Sequence, residues 1–169
     1  AEEVVHDVTR DDRLEIVAGD IVDHFLGRGF AGKAMVVSID KATAVRTFDK
    51  VKRHWTQRLA KQETRLASGD LDADERDLLA QEVAFMRETD MAVVISQSQN
   101  EVSEMAERGL DIKPHRKRMI EDRLEDKFKD AQDRLRIAFV CSMWTTGFDV
   151  PSCSTIYLDK PMRNQSLMQ

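Results

Sequence analysis

The sequence predicts a three-layer α/β domain, with a mostly parallel sheet, helices on both faces and a helical hairpin built into one crossover. Four short apolar runs lead to this reading, at residues 34–39 (AMVVSI), 92–95 (AVVI), 136–140 (RIAFV) and 155–158 (TIYL). They are rich in β-branched and aromatic residues and show no strict alternation, the pattern of strands covered on both faces. The stretches between them repeat apolar residues at helical spacing. Two of those stretches fall between the first and second runs, with a break separating them.

Taken in order, residues 13–26 place Leu14, Val17, Ile21 and Phe25 on one face, with Asp12 as a candidate N-cap and Gly27 just past the end. The first strand follows. Residues 41 to about 66 carry Val45, Phe48, Val51, Trp55 and Leu59, until Ser68-Gly69-Asp70 breaks the pattern. Residues 74 to about 87 carry Leu78, Leu79, Phe85 and Met86, which completes a hairpin spanning about 41–88. After the second strand, residues 116–131 form a helix through Ile120, Leu124, Phe128 and Ala131. The third and fourth strands then follow, with a helix start near Ser166. Residues 1–32 read as a leading helix and connection, and residues 33–169 as the α/β domain.

Charged residues make up 34% of the 169 and apolar residues 41%, a helix-rich globular composition. No stretch has the apolar length to span a bilayer, and no charged-then-apolar signal segment opens the chain. Cys141 and Cys153 form no CxxC pair, so a reducing cytoplasm is the expected compartment. A net charge of −5 argues against gripping nucleic acid by bulk charge, so any such contact must be local or shared with another domain. The chain opens without Met and stops at Gln169 in mid-pattern, which reads as a piece of a longer polypeptide.

In open parallel sheets, ligands bind at the carboxyl ends of the strands. The most informative loop in such a place is Trp144-Thr145-Thr146-Gly147-Phe148-Asp149-Val150-Pro151, directly after the third strand. Hydroxyls and free N–H groups bind phosphate oxygens, Gly147 permits close backbone approach, and Asp149 can accept from a ribose hydroxyl or hold an arginine. On spacing alone, a tight loop with a capping Asp explains the same residues.

The wider context adds to this. Residues 135–140, then Met143 to Pro151, then Ile156-Tyr157-Leu158-Asp159-Lys160-Pro161-Met162, then Leu167-Met168-Gln169 resemble motif V running into motif VI of superfamily 2 helicase-like motors. The match is strongest to the restriction (motor) subunit of type I restriction enzymes. Gly32 to Ser38, with Ala42 and Ala44, is similar to that family's motif IV, and residues 92–96 to the strand between these motifs. Cys141-Ser142 stand where the family often has charged residues, and the motif VI arginines fall beyond Gln169.

The resemblance implies a RecA-like second motor domain at 33–169, cut within motif VI, which closes on ATP and grips duplex DNA. It implies nucleotide contacts from Gly147, Asp149 and Gln169, and DNA contacts from Ser38, Ser96, Trp144, Thr145 and Thr146. ATP and Mg²⁺ would be held mainly by a preceding RecA-like domain of the same chain, and methylation and specificity subunits would complete the complex. No catalytic residue is assigned within this stretch, which by itself is expected to be inactive. The alternatives are the C-terminal domain of another superfamily 2 helicase or remodeller, and a non-catalytic α/β interaction module.

Several features point elsewhere. Residues 27–34 nearly spell a phosphate loop, but Ala34 lacks the hydroxyl for Mg²⁺ and the segment leads into a strand, so Lys33 reads as a decoy. The basic run Lys113-Pro114-His115-Arg116-Lys117-Arg118 reads as solvated surface rather than a DNA contact. Trp55 belongs to a helical core stripe, and the four histidines show no metal-ligand spacing with each other or with the cysteines.

Overall fold

The computed structural model describes residues 10–141 and 153–159. Ten elements follow in order: α1 (Asp11–Gly27), β1 (Lys33–Ser38), α2 (Lys41–Ala67), α3 (Ala73–Glu88), β2 (Asp90–Val93), α4 (Glu101–Glu107), α5 (Lys113–Glu121), α6 (Leu124–Lys129), β3 (Leu135–Cys141) and β4 (Cys153–Asp159). The four strands form one sheet in the order β2-β3-β1-β4, and every pairing is parallel.

Alternation along the strands divides the core into two layers. Ala34, Val36, Met91, Val93, Ile137, Phe139 and Tyr157 face a cluster built from α1, α2 and α3. Met35, Val37, Ala92, Val94, Ala138 and Val140 face the other way, against Leu124 and Phe128 of α6. Helices therefore cover both faces, and all six residues of β1 are buried.

The first face is aromatic where α1 meets the hairpin. Phe25 packs against Trp55 and Phe85 at ring separations of 5.9 and 6.2 Å. Trp55, 2% exposed, donates its indole N–H to the Met86 carbonyl at 3.1 Å and so joins α2 to α3. Aspartates cap both helices: Asp40 accepts from the Thr43 amide at 2.7 Å and Asp72 from the Glu75 amide at 2.8 Å. Between them, Arg76 donates to the carbonyls of Leu66 and Ser68, satisfying the open end of α2 and fixing the turn.

Helix α1 runs the length of β4 from its carboxyl end to its amino end. Arg13 pairs with Asp159 at 2.6 Å, His24 Nδ1 shares a hydrogen bond with the Tyr157 hydroxyl at 2.7 Å, and Arg28 donates to Thr155 Oγ1 at 2.7 Å. Burial pushes the Tyr157 phenol up to about 12, so it stays protonated at neutral pH. Farther out, Glu15 is held by Arg53, Lys50 and His54 of α2.

Three details differ from the sequence reading. Arg10, not Asp12, occupies the N-cap position of α1; Asp12 lies in the first turn, where its carboxylate accepts from the Arg13 amide. The single helix expected at 116–131 is two, because Arg123 takes a left-handed φ of 51° and restarts the chain as α6. Helix α4 was not anticipated. Among the described residues, no helix is long and apolar enough to cross a membrane.

Candidate functional site at the carboxyl end of the sheet

The carboxyl ends of the strands bring together Ser38, the residues after Val93, Cys141 and Asp159. Ser38 lies between the other two end residues, in register with Cys141 on one side and Asp159 on the other. Ser38 and Asp159 are both fully buried, and Ser38 Oγ and Asp159 Oδ2 have no hydrogen-bond partner among the described residues. Burial raises the Asp159 pKa, with Arg13 pulling in the opposite direction.

A loop over residues 94–100 leaves β2 at the same end, and one guanidinium organises it. Arg116 of α5 grips Glu101 through two bonds, Nε to Oε2 at 2.7 Å and Nη2 to Oε1 at 2.9 Å. The same side chain donates to the carbonyls of Ile95 at 3.2 Å and Ser96 at 3.3 Å. Glu101 also accepts from the Ser98 amide, while the Ser98 hydroxyl meets the ammonium of Lys41, the first residue of α2. Asn100 turns the chain into α4 with a left-handed φ of 59°, a conformation asparagine tolerates better than most residues. The Arg116 bonds draw the Glu101 carboxyl below its ordinary range.

The loop's other side chains stay outward, with Ser96, Gln97, Gln99 and Asn100 all exposed. A cleft of about 240 Å³ flanks the loop beside Lys41, Ser98 and Glu101. A second, of about 440 Å³, lies beside Ser96, Gln97, Arg116 and Arg123. The basic run is thus not a uniformly solvated patch. Arg116 is committed to Glu101, and Arg118 pairs with Asp90 and Asp122. Lys113 and Lys117 remain exposed.

Of the residues singled out from sequence, Ser38 and Ser96 are at this end of the sheet, the first closed off and the second exposed. Trp144, Thr145, Thr146, Gly147, Asp149 and Gln169 lie outside the described residues. In sequence, Trp144 to Asp149 follow Cys141, the end of β3 that pairs with Ser38. Lys33 is at the opposite end of β1, 2% exposed, donating to the Lys127 carbonyl at 2.9 Å and the Leu135 carbonyl at 2.7 Å. That bonding is structural. The Glu101–Arg116 pair escapes the sequence reading, since Arg116 sits inside a basic run and Glu101 opens a stretch with Glu104 and Glu107, so neither stands out as a partner.

Comparison with known proteins supplies the family. The type I restriction enzyme subunit R domain 3 family matches residues 30–169. The chain is 33% identical over 162 residues to a putative type I restriction enzyme MjaIXP endonuclease subunit of Methanocaldococcus jannaschii, covering 94% of this chain and 12% of that protein. It is 56% identical over 46 residues to the type I restriction enzyme HindI endonuclease subunit of Haemophilus influenzae, covering 27% of this chain and 4% of that protein. The chain thus spans a small part of these relatives' length. No solved structure matches it. With the family match covering residues 30–169, most of its length, this chain belongs to the type I restriction enzyme subunit R domain 3 family.

Proposed function

We propose that residues 33–169 are the second of two RecA-like motor domains in an ATP-dependent, DNA-translocating type I restriction endonuclease subunit. Ahead of it in this reading stand the leading helix α1 and its connection to β1. The observation that carries this reading is the all-parallel sheet, in which Ser38, the loop after β2 and Cys141, the last described residue before Thr145 in sequence, gather at one end. Open parallel sheets bind ligands there.

In this reading, the preceding RecA-like domain holds most of the ATP and its Mg²⁺, which would neutralise developing phosphate charge. Gly147, Asp149 and Gln169 complete the nucleotide site from this side. Trp144, Thr145, Thr146 and Ser96 contact duplex DNA, whose backbone is followed without reading sequence. Ser38, closed off in this conformation, would join them only in a state that opens the corner beside Asp159. Closure on ATP and opening after hydrolysis then alternate the grip of the two domains. Methylation and specificity subunits complete the complex in the cytoplasm.

The purified chain, assayed for phosphate release with Mg²⁺ and long duplex DNA, is expected to show no turnover, since it carries neither a Walker loop nor the motif VI arginine. Restoring the preceding domain and the residues beyond Gln169 should make DNA-stimulated hydrolysis appear. Robust turnover by the chain alone would refute the half-motor reading.

A further inference from the structure

Resting on that motor reading, we propose that Arg116 and Glu101 act as a positioning clamp, holding residues 95–98 in the shape in which this loop meets the nucleic-acid backbone. The geometry is that of a device for shape. One guanidinium reaches the carbonyls at the start of the loop, Ile95 and Ser96, and both oxygens of the carboxylate that anchors its far end. That carboxylate in turn takes the Ser98 amide. The loop is therefore tied at both ends to a single planar fork, a role a lysine cannot fill because its ammonium is a point charge. The Arg116 and Glu101 side chains are only 14% and 9% exposed. A buried ion pair adds little net stability, because desolvation offsets the attraction, so its use is to be sought in the geometry it imposes.

The imposed shape points outward. With the Ile95 and Ser96 carbonyls turned to Arg116, the polar side chains of Ser96 and Gln97 stand exposed and line the larger of the two clefts. Ser98 meets Lys41, which brings the cation at the start of α2 to the same loop. The basic run read from sequence as surface thus acts through one half-buried member. Arg116 touches neither nucleotide nor DNA; it is a positioning residue.

The test uses the intact subunit in its restriction complex and measures ATP hydrolysis against duplex DNA concentration at several salt concentrations. Arg116→Lys keeps the charge and removes the fork. It should raise the half-saturating DNA concentration about tenfold, keep the rate at saturating DNA within about twofold of wild type, and, by releasing Ser98 and with it the placement of the Lys41 ammonium, reduce the salt slope by about one phosphate contact. A merely structural arginine would leave the salt slope unchanged and lower the saturating rate with the folded fraction, and that result overturns the clamp. Gln97→Glu, an exposed change at the loop tip that leaves the fold intact, should raise the half-saturating DNA concentration to a similar degree. If Arg116→Lys fails to fold, an unchanged Gln97→Glu overturns the proposal. A wild-type complex whose hydrolysis ignores DNA would defeat the motor reading itself. DNA-dependent wild type with unaffected variants would defeat the clamp alone.

Discussion

Lys33 Nζ donates to the main-chain oxygen of Leu135 at 2.7 Å, at the amino end of the sheet and at the opposite end of β1 from Ser38. A second bond to the Lys127 carbonyl and the Phe128 ring 5.4 Å away complete its surroundings, and burial lowers its pKa. Lys33→Ala should leave ATP affinity of the intact subunit unchanged and cost about 2–3 kcal/mol in denaturant unfolding, from lost charged hydrogen bonds and a buried void. Loss of nucleotide affinity in a folded variant would return this lysine to the active site.

The aromatic junction of the hairpin offers a second check. Trp55→Phe keeps most of the packing against Phe25 but leaves the buried Met86 carbonyl without its indole donor. The expected loss is about 1–2 kcal/mol, read from the urea midpoint at unchanged slope. Trp55→Ala should cost about 3–5 kcal/mol. A neutral alanine variant would mean that the hairpin does not pack on α1.

A third prediction concerns acid. Arg53 foremost, then Lys50 and His54, hold the Glu15 carboxyl down at about 2 against an ordinary 4.5. A carboxyl depressed by folding contributes stability that is present above its unfolded pKa and fades as pH falls from about 4.5 toward 2. Glu15 is partly exposed, so solvent screening limits this to at most about 1 kcal/mol. Glu15→Gln should therefore be less stable than wild type at pH 7, with the gap narrowing below pH 4.5. Urea midpoints at several pH values check this; a gap that widens on acidification would contradict it.

These outcomes bear on how much was legible in the amino-acid sequence. The long elements were, because their signals are local. Asp40 precedes α2, Ser68-Gly69 ends the pattern after it, and the buried strands are continuous apolar runs. The region after β2 was not. Helices α4 and α6 have seven and six residues, too short to show a period, and the left-handed turns that open them use Asn100 and Arg123 where a glycine would have been the recognisable mark. The clamp was hidden for a different reason. Glu101 and Arg116 belong to different helices, and each alone looks like a solvated charge. Ser38 was legible as a strand end, but its burial was not: its neighbour Asp159 is 121 residues away in sequence and adjacent only through the register of β1 and β4.

The central claim is that this domain completes a nucleotide site and couples it to DNA. Its most direct test is DNA-stimulated ATP hydrolysis by the intact subunit carrying Asp149→Ala, compared with wild type at matched folded fraction. The account predicts a loss of at least about tenfold in the stimulated rate, with an unchanged unfolding midpoint. A folded Asp149→Ala subunit that hydrolyses ATP and translocates at the wild-type rate would contradict it.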